Sequence, residues 1–280
     1  MKELLNEHLT GERALFQTDG LKIINTTFEK GSHPLKHSRY VEVEDSKIDC
    51  MYPMWYSEKL KLKNTVIGEN GIAAIWYGDE INVTDTTISA PKSFRRCTGV
   101  SLRNVNLTNG NETLWKSQNI RLSNVKVKGS YFGMDSDGIE ITGLDLRGEH
   151  AFDGVRNATI RGSFIMSENA FWNCENIVVF DSRISGDCIG WNSRNVKFVN
   201  CTIESHQGMC FVKDLVLEKC TLPNTDLAFE YSNISANIIG SINSIKNPKG
   251  GIIKADYIGE IIMESENIDI NKTKIICGNE

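Results

Sequence analysis

Apolar and polar residues alternate along this chain in short bursts, and the bursts recur at a fixed distance. Segments of eight align at Leu21 (LKIINTTF), Val41 (VEVEDSKI), Leu60 (LKLKNTVI), Ile81 (INVTDTTI), Val100 (VSLRNVNL), Ile120 (IRLSNVKV) and Ile139 (IEITGLDL). The series continues at Ala158 (ATIRGSFI), Ile177 (IVVFDSRI), Val196 (VKFVNCTI) and Leu215 (LVLEKCTL), each start 19 to 21 residues after the last. Positions one and three are apolar and position two mostly polar, the period of a strand with one buried face. Position five is Asn, Asp or Gly in all but the last copy, as in Asn25, Asp45, Asn64, Gly143 and Asp181. Those residues accept a left-handed backbone, so the chain should bend there. Position eight is always Ile, Leu, Val or Phe, which predicts a second short strand after the bend. A turn, a third apolar stretch and another turn complete the repeat.

A nineteen-residue unit of this kind is one coil of a parallel β-helix. Leucine-rich repeats would show a helical half, and propeller blades need about twice the period. The expected fold is therefore all-β: a single-stranded, right-handed parallel β-helix of 12 or 13 coils of 19 to 21 residues, forming one domain over residues 1–280. Leu4, Leu5, His8 and Leu9 stand at helical spacing, which predicts a short N-terminal capping helix within residues 1–16. Regular coils should fill residues 17–233, with irregular coils and a tail over 234–280.

Composition narrows the class. The 280 residues carry a net charge of −5 with 40% hydrophobic content, and the charges are interspersed, which argues against nucleic acid or a membrane surface as partner. Residues 1–16 lack the apolar core of a signal peptide, and no apolar run is long enough to span a bilayer. The eight cysteines have no CxxC spacing and read as reduced thiols, so the expected location is the cytoplasm.

The third side of each coil is where the side chains become unusual. An alternating strand there would turn Trp55, Trp172 and Trp191 inward, and Met54, Tyr56, Phe152, Phe171, Asn173, Asn192, Met209, Phe211 and Glu230 outward. Trp172-Asn173 and Trp191-Asn192 repeat one coil apart, predicting a Trp stack in a corner of the core beside an Asn ladder. Tyr77 and Trp115 lie in nearby segments. Aromatics interleaved with amides and charges suit an extended, carbohydrate-like ligand, the flat faces stacking and the polar tips hydrogen-bonding. Tyr56, Tyr77, Trp115, Phe171, Asn173, Asn192, Phe211 and Glu230 are the candidate ligand-binding residues.

Several segments resemble a bacterial family of unknown function, DUF3737. They include GERALF (11–16), YPMWY (52–56), GIAAIWYGD (71–79), APKSFRRC (90–97), ETLW (112–115), FDG (152–154), AFWNCENIVVFDS (170–182), GWNS (190–193), CTIES (201–205) and LAFEYS (227–232). The resemblance implies a right-handed parallel β-helix in the cytoplasm and supplies no activity or catalytic residues. One departure is Asp187-Cys188, where an acidic residue followed by an aromatic one is expected.

Two alternatives to a binding protein stand beside it. A carbohydrate hydrolase or lyase would use Asp135 and Asp153 as paired carboxylates, with Arg95 or Arg96 on an anionic group. The competing reading of both Asp residues is turn chemistry before Gly138 and Gly154. A homo-oligomeric scaffold would bury the aromatic side against a second copy. No cofactor motif appears, and no metal site is expected: His33 and His37 are four apart but flanked by Gly31 and Pro34. Cys201 and Cys220 share an inward phase one coil apart and are expected as free thiols.

Overall fold

In the computed structural model, which describes residues 1–278, the chain is a parallel β-solenoid of about 15 turns without an α-helix among the described residues. Its coils gather into two compact units, Met1–Leu146 and Arg147–Glu280.

In the first unit, strands Asp19–Ile24, Arg39–Glu44, Glu58–Lys63 and Asp79–Thr84 line one side, joined by the first halves of Thr98–Leu107 and Gln118–Lys128, which bend onto the second side. They pair in parallel with residues one repeat apart opposite each other: Leu21 with Val41, Leu60 with Ile81, Val100 with Ile120. The second side pairs likewise, Phe28 with Ile48 and Thr87 with Asn106. Position five bends as the sequence requires, with Asn25, Asp45, Asn64, Asp85, Asn104 and Asn124 all left-handed. A left-handed conformation costs an ordinary L-residue about 1–2 kcal/mol. Asn carries it at lower cost, and here its amide also reaches the preceding coil: Asn64 Nδ2 donates to Asp45 Oδ1 (2.7 Å), and Asn124 Nδ2 to Asn104 Oδ1 (2.8 Å). Positions one, three and eight form the core, with Ile23, Phe28, Val43, Ile48, Leu62, Ile67 and Ile88 buried.

The expected capping helix is not formed. Residues 1–16 begin with strands Lys2–Leu5 and His8–Thr10, which make the first coil. Leu4 lies opposite Ile23 and Leu9 opposite Phe28. Asn6 is left-handed (φ 58°) and accepts from Asn25 Nδ2 (2.6 Å). The repeat therefore starts nineteen residues earlier than the first aligned segment. A leucine spacing that also fits a helix face is satisfied by the strand ladder, because the neighbouring coil supplies backbone partners that a lone helix would lack.

The second unit repeats the plan through Arg156–Arg161, Glu175–Phe180, Arg194–Val199 and Lys213–Cys220. Ile165, Ile184 and Ile203 stand in register. Strand pairing goes on through residues 234–277. Asn233–Ile238 pairs with Gly250–Ala255, which pairs with Thr273–Cys277, and Ser241–Lys246 pairs with Tyr257–Ile262. The turn count of about 15 stands above the expected 12 or 13. Cys201 and Cys220 are buried free thiols. No helix among the described residues is long and apolar enough to cross a membrane.

Candidate functional site

The third side is a tight arc in place of a strand. Left-handed residues recur at every second position there, for example Lys92, Phe94 and Arg96, Glu112, Leu114 and Lys116, or Asn169, Phe171 and Asn173. Alternating left- and right-handed residues curl the backbone, and the carbonyls still bond between coils: His37 N–H donates to Trp55 O (2.9 Å) and Tyr56 N–H to Trp76 O (2.8 Å). Curling replaces the one-in, one-out rhythm of a strand with two in, two out. Pro53 and Met54 are buried together, Trp55 is half-buried, Tyr56 is exposed, and Ser57 returns to the interior.

That rhythm corrects the expected orientations. Phe171, a candidate ligand contact, is fully buried against Phe152, with ring centroids 5.3 Å apart. Met54, Phe152 and Met209 are also core residues. Trp55, Trp172 and Trp191, expected inside, stand half-buried on the outer rim. Each indole is pinned by its N–H to a carbonyl one coil on: Trp55 to Ala73, Trp76 to Lys92, Trp115 to Tyr131, Trp172 to Cys188 and Trp191 to Gln207, at 2.6–2.7 Å.

In the first unit these positions build two columns side by side. The inner column runs Lys36, Trp55, Trp76, Arg95, Trp115. The Trp55 and Trp76 rings stack at 4.9 Å and 3°, and the Arg95 guanidinium lies between Trp76 (4.9 Å) and Trp115 (4.2 Å). The outer column runs His37, Tyr56, Tyr77, Arg96, Lys116. His37 stacks on Tyr56 at 5.0 Å, Tyr56 on Tyr77 at 4.7 Å, and Arg96 lies over Tyr77 at 5.9 Å. Tyr56 and Tyr77 are exposed, yet their faces are covered by neighbours in the column. Their hydroxyl tips and ring edges are what meet solvent. The premise of sugars stacking on open ring faces is therefore not met at these two residues.

The candidate catalytic residues are placed as follows. Arg95 is largely enclosed and bonds Glu112 Oε2 at 2.7 Å, which ties up the charge expected to meet an anion. Arg96 is exposed on the outer column. Asp135 belongs to the first unit, 3.9 Å from Lys116 Nζ. Asp153 belongs to the second and accepts from Asn173 Nδ2 (2.9 Å); it is half-buried. Among the described residues no group of three or more His, Cys, Asp or Glu side chains gathers as a metal site.

In the second unit, Asn192 Nδ2 donates to Asn173 Oδ1 (2.8 Å), continuing the ladder to Asp153. Trp172 and Trp191 stack beside it at 5.8 Å. Phe211 is exposed between Trp191 and Tyr231, 5.4 Å from each. Glu230 is largely covered and paired with Lys246 (3.0 Å).

Lys36, His37, Trp55 and Trp76 are column members that the sequence reading did not select. A signal for them exists: the outward pair precedes a small inward residue, as in Lys36-His37-Ser38, Trp55-Tyr56-Ser57, Trp76-Tyr77-Gly78, Arg95-Arg96-Cys97 and Trp115-Lys116-Ser117. The small residue marks the phase. Ser57 Oγ, for one, donates to Leu35 O (2.9 Å) across the inside of the arc. The first side also holds a shallow hollow of about 450 Å³ in the first unit, lined by Asn82, Ser101, Arg103, Arg121 and Glu140.

With the columns in place, comparison with known proteins adds the family. The model of DUF3737, described as a protein of unknown function, matches residues 2–276. The chain belongs to the DUF3737 family. No curated protein matches it. Among solved structures it is similar to full-length QnrB1, a plasmid-mediated fluoroquinolone resistance protein, at 12% identity and a TM-score of 0.39, over 71% of this chain and 94% of that one. It is also similar to the mannuronan C-5 epimerase AlgE4 A-module of Azotobacter vinelandii, at 13% identity and TM-score 0.25, over 99% and 86% of the two chains. HetL, a pentapeptide repeat protein from Nostoc sp. strain PCC 7120, matches at 13% identity and TM-score 0.22, over 83% and 86%. At such scores these likenesses carry no functional argument for this DUF3737 chain.

Proposed function

We propose that this chain is a binding scaffold that holds an extended, glycan-like ligand along the arc of its first unit. The observation that carries the reading is the outer column. Tyr56, Tyr77 and Arg96, held by stacking, and Lys116, beside Asp135, present hydroxyl and cationic tips on consecutive coils, about 4.8 Å apart. A ladder of donors at fixed pitch suits a polymer that repeats along its length, and preorganised side chains lose little entropy on binding. The hydrolase reading is the weaker one, because Arg95 is committed to Glu112 and Asp153 to Asn173. A cytoplasmic location is part of the proposal, supported by eight free cysteines.

Affinity electrophoresis of the full chain through gels containing different linear polysaccharides tests it. At least one should retard the protein, and the Tyr56→Phe, Tyr77→Phe double substitution, which removes only the hydroxyls, should reduce the retardation. Absence of retardation by every glycan, or a solution dimer that covers Tyr56 and Tyr77, overturns the proposal.

A further inference from the structure

Cations of the first unit are held in two ways, by carboxylates or by aromatic rings. On the first side, Lys61 bonds Glu42 at 2.7 Å, Lys22 bonds Glu44 at 3.2 Å and Arg121 bonds Glu140 at 3.2 Å, while Lys59 bonds the Tyr40 hydroxyl at 3.0 Å. On the arc, Lys92 and Arg95 pair with Glu112 and Lys116 with Asp135, whereas Arg13, Lys36 and Arg96 have no carboxylate partner among the described residues and rest on rings instead. Arg13 lies over Phe16 (5.1 Å), Lys36 over Trp55 and Tyr56 (5.9 and 5.8 Å), and Arg96 over Tyr77 (5.9 Å). A ring face orients a cation while leaving its N–H donors free. In a chain of net charge −5, un-neutralised cations fixed along one surface form a site for negative charge.

We infer that the ligand of the arc is a carboxylated glycan, with Arg96 and Lys36 reading its charge; this rests on the binding reading above. Three features select this chemistry. The guanidinium fork of Arg96 matches a carboxylate. Between the two cations stand the Tyr56 and Tyr77 hydroxyls, which suit a polymer whose charges are interrupted by its own hydroxyls and not an unbroken run of phosphates. Single-stranded nucleic acid is bound by stacking bases on open aromatic faces, and here those faces are covered. The coil pitch is also close to the advance of one pyranose along an extended 1,4-linked chain, so successive sugars can meet successive coils in register.

The test compares matched pairs of polymers: de-esterified against fully methyl-esterified homogalacturonan, and oligo-β-1,4-glucuronate against cello-oligosaccharides of equal length. Binding to the full chain is measured by calorimetry. At least one acidic member should bind about tenfold or more tighter than its neutral partner, with affinity falling as salt rises. The Arg96→Gln, Lys36→Gln double substitution should weaken acidic binding about tenfold, leave neutral binding within about twofold, and leave the melting temperature unchanged. If acidic and neutral members bind alike, or only a neutral glycan binds, the charge inference fails while the binding reading stands. If no glycan binds, both fail. Tighter binding of inorganic polyphosphate or oligothymidylate than of either polyuronate overturns the choice of a glycan.

Discussion

Trp191 lies parallel to Trp172, ring centroids 5.8 Å apart and 14° from coplanar, and its indole N–H donates to Gln207 O at 2.6 Å. The same indole thus ties three successive coils, by its face on one side and its edge on the other. Trp191→Phe keeps most of the ring contact and removes the donor. It should cost about 1 kcal/mol, read from denaturant unfolding, whereas Trp191→Ala should cost about 3 kcal/mol because the stack is lost too.

Phe171 and Asn173 are two residues apart and separate core from surface. Phe171→Ala should destabilise by about 3–5 kcal/mol, since it opens a cavity against Phe152 and Phe198. Asn173→Ala should cost about 1 kcal/mol, for the ladder amide and the left-handed backbone. Equal effects in urea titrations would refute the two-in, two-out arc.

At the bend, Asn64 has φ 46°. Asn64→Gly should lie within about 1 kcal/mol of the parent, because glycine adopts this conformation freely while forfeiting the bond to Asp45. Asn64→Val should cost about 2 kcal/mol or more, a β-branched residue being least tolerant there. Thermal melts of the two variants check the order.

Burial pushes the Cys50, Cys97 and Cys210 thiols up to about 12, and Cys174 higher still. Cys188 is half-buried and also raised, by burial first and then by Asp187. Only the thiolate attacks a disulfide reagent. In the native protein at pH 8, Cys277, the exposed thiol, should react fast, Cys188 slowly, and the rest only after unfolding. Mass spectrometry of the labelled peptides identifies them.

His33 is held below its ordinary 6.5, first by burial and then by Lys36 and Arg13. The unfolded chain therefore takes up this proton at a higher pH than the folded one, so stability is lost as pH falls below about 6.5 toward the folded value. Melting temperature should drop between pH 6.5 and 5, and the drop should shrink in His33→Gln.

Much of the fold is legible in the residues because the period forces it. Asn25, Asn64 and Asp181 mark bends, and Ile165, Ile184 and Ile203 mark a core column, whatever the rest of the chain does. The first coil escaped because Leu4, Leu5 and Leu9 also fit a helix face, and only Asn6 in phase with Asn25 decides between the two. The arc escaped for a different reason. An alternating strand and an alternating left- and right-handed arc both read as apolar runs, so Phe171 and Trp172 exchange sides without any change in composition.

By itself, then, the sequence determined the coil length, the bends, the parallel stacking and the family, because each follows from local patterns repeated every nineteen residues or so. Only the tertiary structure decided which third-side residues face outward, that Tyr56 and Tyr77 cover each other's faces, and that Lys36 and Arg96 stand on rings without a carboxylate partner among the described residues. Those depend on backbone curvature and on neighbours one coil away, and a side chain's accessibility is set by what is stacked above and below it.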